Sequence, residues 1–328
     1  MTNALTAVTA LAAAALMAMP LAASAAPAPT DPIELRPGTL ERGADVRIPH
    51  LEGDTIVDGG TRIPLAGEVY ELLGRSGAAY VVVVGNAGGT RFRTVRVSLG
   101  GDPTLLARAT TPGQATLSDD GRHLAVERGL TEKDTTIQVV SAQTSQSVAR
   151  RTFPGFVSVL DMSGGRLVLG SWAPNRTFFW NALTGDTRTI VNRPGYVADI
   201  AGDRLAVFTR DPFRGGCSVV TPLTEVTEVD WRSCEERVDA FSPGGTRMAT
   251  VHLLADGLGP TRVWARKTGG KLLAGYTTRW FGLIGWESET ALLLETNGRK
   301  LATTARCIAA DCEAAEDTRP APTPRVSP

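Results

Sequence analysis

The residues of this chain best equipped for redox, metal or acid–base chemistry are four cysteines and three histidines. Cys217, Cys234, Cys307 and Cys312 do not form two C-x-x-C pairs, and no histidine stands near them in sequence, which argues against a zinc or thiol-redox site. An even number of cysteines is instead the pattern of disulfides in an oxidising compartment. Cys217 begins one apolar segment and Cys234 ends the next, with Leu223-Thr224-Glu225-Val226 turning between them, while Cys307 and Cys312 flank Ile308-Ala-Ala-Asp311. A hairpin at each place brings two Cβ atoms together, so the expected pairs are Cys217 with Cys234 and Cys307 with Cys312.

His50, His123 and His252 have no ligand spacing of the H-E-x-x-H kind, and His123 and His252 fall in strand segments where filling a core is the commoner role. Gly170-Ser171-Trp172 lacks the frame of a nucleophile elbow. No phosphate-binding loop occurs. Asp119-Asp120-Gly121 lacks the alternating acidic ligands of a calcium loop and reads as a turn. Neither a cofactor nor a metal is expected. The 34 basic side chains balance 34 acidic ones. Without a basic excess to neutralise phosphates, nucleic acid is not an expected partner.

The elements that must position these residues repeat. Leu73, Leu117, Leu160, Ile200, Phe241 and Ile284 each close an apolar segment, in steps of 44, 43, 40, 41 and 43 residues. A small polar turn follows several of them, such as Ser118-Asp-Asp-Gly121 and Ser242-Pro-Gly-Gly245, and then a short apolar strand such as Leu124-Ala-Val126 or Leu205-Ala-Val207. Pro-Gly precedes the first strand at 112–113, 154–155 and 194–195, and Thr144, Thr184, Thr224 and Thr268 keep the same frame. A period of about 40–45 residues is the four-stranded blade of a propeller, whereas a β-sandwich needs no such super-period.

Ser242-Pro-Gly-Gly-Thr-Arg-Met-Ala-Thr250 resembles the turn of WD40-like and TolB-like propeller blades. Trp180-Asn-Ala-Leu-Thr-Gly185 and Trp264-Ala-Arg-Lys-Thr-Gly269 are similar to the turn between the two outer strands of such blades. The resemblance covers about residues 67–316 and implies an architecture, which is not a function.

The expected fold is therefore an all-β propeller of four-stranded antiparallel sheets, with seven blades, the first reduced; six is the alternative. Residues 1–26, with an apolar run from Leu11 to Leu21 and the small-x-small site Ala23-Ser-Ala25, read as a signal peptide. Residues 27–43 read as an extended linker, 44–316 as the propeller and 317–328 as a disordered Pro-rich tail. Val46-Arg-Ile-Pro49, Thr55-Ile-Val57 and Thr61-Arg-Ile-Pro-Leu65 are candidates for three short strands, too little for a full blade, and read either as the reduced first blade or as the strand that closes the ring. Val81 to Val84 reads as a strand apolar on both faces, hence buried between blades. No later stretch is apolar for long enough to span a membrane, so a secreted monomer is expected.

In a propeller the loops between the second and third strands share one face. Here they include Ser171-Trp-Ala-Pro-Asn-Arg176, Arg210-Asp-Pro-Phe-Arg214 and Ala255-Asp-Gly-Leu-Gly-Pro260. Trp172, Arg176, Phe213 and Arg214 are of the types favoured at binding hot spots and are the expected binding residues; the bland alternative is that they only pack on their own blades. The expected function is non-enzymatic binding or scaffolding outside the cytoplasm, toward an extracellular or cell-envelope protein or glycan. The alternative is a propeller hydrolase of lactonase or glycosidase type, which needs carboxylates such as Asp199 and Asp239 to converge at the central channel.

Overall fold

The computed structural model describes residues 31–86, 91–108 and 110–322, so the signal segment expected at 1–26 lies outside the described residues. Its logic is clearest in Ala79–Gly85, where every residue is buried. Val81 and Val83 pack toward one neighbouring sheet, Val82 and Val84 toward the other. A strand covered on both faces sends alternate side chains to opposite cores, and β-branched residues suit that environment.

Seven sheets of this kind form the ring. Blade 1 has three strands, His50–Glu52, Thr55–Asp58 and Thr61–Pro64. Blades 2 to 7 occupy 68–108, 115–154, 157–191, 195–233, 236–277 and 280–314, each with four antiparallel strands in chain order. The first strands of successive blades lie against one another and so form the inner wall. The apolar core is divided into clusters between neighbouring blades rather than gathered in one centre.

Three details differ from the sequence expectation. The first strand of blade 1 is not Val46–Pro49 but His50–Glu52. Pro49 has no N–H to give a ladder, and the turn at Gly53, with φ 63°, pairs Glu52 with Thr55. The segment read as a linker is extended but docked: Ile33 and Glu34 pair in parallel with Tyr276 and Thr277, adding a fifth strand to blade 6, and Leu35 is buried. Of the tail read as disordered, Arg319–Pro320 pairs with Leu301 and Ala302 of blade 7, while 323–328 lies outside the described residues.

The seam between blade 7 and blade 1 differs from the other interfaces. Here the arm that precedes blade 1 packs on blade 7 through a small apolar cluster of Val46, Leu293 and Ala315. The arm leading into blade 1 runs beside the outer strand of blade 7, with Gly43 N donating to Ala314 O at 2.9 Å and Val46 N to Ala315 O at 3.1 Å. Beneath it, Arg306 uses all five of its N–H donors. Nε and Nη2 hold Glu287 at 2.7 and 2.8 Å, Nη1 reaches Glu313 and Ala44 O, and Nη2 reaches Asp45 O. Glu287 also accepts the Arg47 amide at 2.7 Å. Burial works to raise the Glu287 carboxyl, but these hydrogen bonds outweigh it and hold it below the usual carboxylate range.

Candidate functional site

The pocket on the face of the second-to-third-strand loops is a cavity of about 580 Å³ contributed by blades 4, 5 and 6. Trp172 ends the second strand of blade 4, Tyr196 stands in the first strand of blade 5, and Phe208 ends the second strand of that blade. Tyr196 and Phe208 stack with centroids 4.0 Å apart and planes 15° apart, and Trp172 lies 5.7 Å from Phe208. The three rings form a continuous aromatic row from blade 5 across to blade 4. Arg237, Leu253 and Leu254 of blade 6 complete the wall.

Local chemistry fixes the loops. Gly155 has φ 80°, and a Cβ there would collide with the Ala173 carbonyl oxygen, so only glycine lets the blade 4 loop close beside Trp172. The blade 5 loop is capped by Asp211, whose Oδ1 accepts the Phe213 amide at 2.9 Å, and it ends at Gly215 in the left-handed region. Its neck is closed by Thr209 N donating to Cys217 O at 2.9 Å and Cys217 N donating to Thr209 Oγ1 at 3.0 Å. Cys217 is also joined to Cys234, the sulfurs 2.02 Å apart. In blade 6 the Leu254 amide donates to His252 Nδ1 at 3.2 Å. His252 is exposed and shapes this loop rather than filling the blade.

The four expected binding residues part company. Trp172 and Phe213 line the pocket, 37% and 78% exposed. Arg214 stands beside it, highly exposed, with Nε 3.7 Å from Asp211. Arg176 does not join them. Its guanidinium lies over the Phe178 ring at 4.3 Å, and Phe178 packs with Phe153 of blade 3, on the opposite face of the sheet from Trp172. Tyr196, Phe208 and Arg237 were missed by the sequence reading. The signal was the aromatic that follows Pro-Gly at Phe156 and Tyr196, two residues on the same face as the loops. Cys307 and Cys312 of blade 7 also pair, with sulfurs 2.13 Å apart, and neither lines the pocket.

The inner carboxylates serve the ring. Glu71 accepts the Gly113 amide, Glu127 the Val159 amide and Asp161 the Ile200 amide, each bond crossing to the next blade at 2.6 to 2.9 Å. Asp199 accepts the Gly202 amide of its own turn, and Asp239 takes Arg237. Burial raises the carboxyls of Asp161, Asp199 and Asp239. Among the described residues no group of three or more His, Cys, Asp or Glu is arranged to hold a metal ion.

No family model and no curated protein matches the chain. Solved structures do. The β-propeller domain of the trilobed protease from Pyrococcus furiosus, described as having an open velcro topology, is 10% identical, with TM-score 0.55 over 85% of this chain and 97% of that one. The acylaminoacyl peptidase of Pyrococcus horikoshii is 11% identical, with TM-score 0.58 over 80% of this chain and 47% of that one, so this chain spans about half of it. The WD40 domain of Toxoplasma gondii coronin is 12% identical, with TM-score 0.50 over 90% of this chain and 79% of that one. The likeness is one of fold. The chain is a seven-bladed propeller with the architecture of WD40 and peptidase propeller domains.

Proposed function

We propose that the chain is an extracytoplasmic binding module that captures a partner protein by an apolar side chain seated in the pocket between blades 4, 5 and 6. The observation that carries this reading is the pocket itself, open to solvent and lined by rings already held in place. Trp172, Phe213 and Leu254 expose apolar surface together, and clustered rather than scattered exposure marks an interaction site. The stacked Tyr196 and Phe208 supply a rigid floor, so little conformational freedom is lost on binding. The largely apolar lining, with Leu253, Leu254 and Val197 beside the rings, suits an apolar side chain. The signal-like residues 1–26 and the two disulfides support a place outside the cytoplasm. Among the described residues no helix is long and apolar enough to cross a membrane.

The test is photo-crosslinking from a benzophenone side chain installed at Phe213, with Leu183 in an outer turn of blade 4 as the control site. Leu183 is 64% exposed and does not line the pocket. One defined adduct from the extracytoplasmic fraction at 213, absent at 183 and lost on Trp172→Ala, supports the reading. Equal adducts at both sites, or none at 213, overturn it.

A further inference from the structure

Arg237 is the basic side chain in a pocket lined mainly by apolar residues, with Asp211 and Asp256 also in the lining. It stands on the first strand of blade 6, next to the Tyr196 hydroxyl that accepts the Val238 amide. A guanidinium carries five N–H donors in a rigid fork. This one makes two long contacts, Nη1 to Asp239 Oδ1 at 3.2 Å and Nη2 to Ala255 O at 3.4 Å. Arg306 and Arg266, by contrast, each grip a carboxylate with two donors at 2.6 to 2.8 Å. Asp239 is its ion-pair partner through that one 3.2 Å contact, and burial works to raise the Asp239 carboxyl while Arg237 lowers it. The Tyr196 hydroxyl is satisfied by Ser218 and Val238 and asks nothing of a ligand.

The lip carries Asp211 and Asp256, with the exposed Arg214 beside Asp211. Asp211 caps the Phe213 amide and lies 3.7 Å from Arg214, and Asp256 accepts the Gly257 amide. The pocket is thus polarised, with an under-used cation on the inner strand, aromatic walls and carboxylates outside. We infer that the pocket takes the C-terminal residue of a partner protein, an apolar side chain against Trp172 and Phe208 with its free carboxylate on the Arg237 fork. Bidentate guanidinium–carboxylate pairing supplies the polarity, and desolvation by the rings strengthens it. A chain entering carboxylate-first leaves its upstream residues beside Asp211, Arg214 and Asp256. This assignment rests on the pocket being the binding site.

The test compares acetyl-Lys-Gly-Ser-Gly-Phe as the free acid and as the C-terminal amide, titrated against the protein to millimolar concentration and followed by line broadening of the peptide's own Phe ring NMR signals. The acid should bind at least tenfold tighter than the amide. Arg237→Met should bring the acid down to the level of the amide, and Trp172→Ala should remove binding of both. Acid and amide binding equally, with both lost on Trp172→Ala, overturns the carboxylate assignment and leaves the pocket reading standing. Binding by neither peptide also overturns it. Octanoate displacing the acid at equal concentration would move the source to a free fatty acid and overturn the peptide assignment.

Discussion

Tyr196 and Phe208 stack 4.0 Å apart within blade 5, while the Tyr196 hydroxyl reaches across to accept the Val238 amide of blade 6 at 3.0 Å and meets Ser218 Oγ at 2.5 Å. Burial pushes this phenol up to about 12, so it stays neutral as a donor. Tyr196→Phe keeps the stack and strands the amide and the hydroxyl. The expected loss is about 1–3 kcal/mol, read by urea denaturation, with the pocket's ligand affinity unchanged. A loss of affinity without a loss of stability would mean that the hydroxyl serves the ligand instead.

Glu127 should leave a pH signature. Burial pushes its carboxyl up to about 7 against the pull of the Val159 amide. A raised folded-state value means that the proton is held more tightly in the folded chain than in the unfolded one. The stability this gives is complete below the unfolded value and is lost as pH rises toward 7. Glu127→Gln keeps an oxygen for Val159 and cannot ionise. The stability of the variant relative to the parent should therefore rise by about 3 kcal/mol between pH 4.5 and pH 8, at about 1.4 kcal/mol per unit. A pH-independent difference would show that Glu127 is ionised throughout.

Arg306→Met should cost about 3–5 kcal/mol, because it leaves Glu287 buried without its partner; the two side chains are 5% and 3% exposed. The double change with Glu287→Met should recover part of that loss. Limited proteolysis should cut the arm between Arg36 and Arg47 faster in the single variant. Unchanged protection there would show that the arm is held by its backbone pairing alone.

The two disulfides should contribute unequally. Cys217 and Cys234 are 17 residues apart and Cys307 and Cys312 are 5 apart. A closed loop of about 15 residues corresponds to about 3 kcal/mol of unfolded-state entropy, and a shorter loop to less. Calorimetry of the paired Cys→Ser variants should show the larger fall for 217/234. That variant alone should also free the neck of the Phe213 loop, seen as faster amide exchange at 209–217.

The ring was readable because its signals are local. Pro-Gly before a strand, Ser-Asp-Asp-Gly after one, and Val81 to Val84 each act within a few residues, and their period counts the blades. The cysteine pairs were readable for the same reason. The pocket was read in part: Trp172 and Phe213 stand out in their loops, but Arg237 looks like any strand arginine until the neighbouring blade places Tyr196 beside it. Arg176 misled because the two faces of one strand end differ only in side-chain direction, and Phe178, two residues on, captures it from the blade 3 side. The docked arm was invisible, since Ile33-Glu-Leu35 carries no signal of its own and gains order only from blades 6 and 7, some 240 residues away.

That arm bears on the order in which the protein can be assembled during synthesis. Residues 33–46 leave the ribosome early, yet their partners at 276–277 and 314–315 are among the last to emerge. Blades 2 to 5 can form one after another as they appear, each covering the face of the one before. The first segment must wait with Leu35 and its backbone groups uncovered, a bare edge of the kind that chaperones and neighbouring chains recognise. Nascent chains halted before residue 276 should therefore carry blades 1 to 5 and an open arm, and the ring should become resistant to protease in one late step.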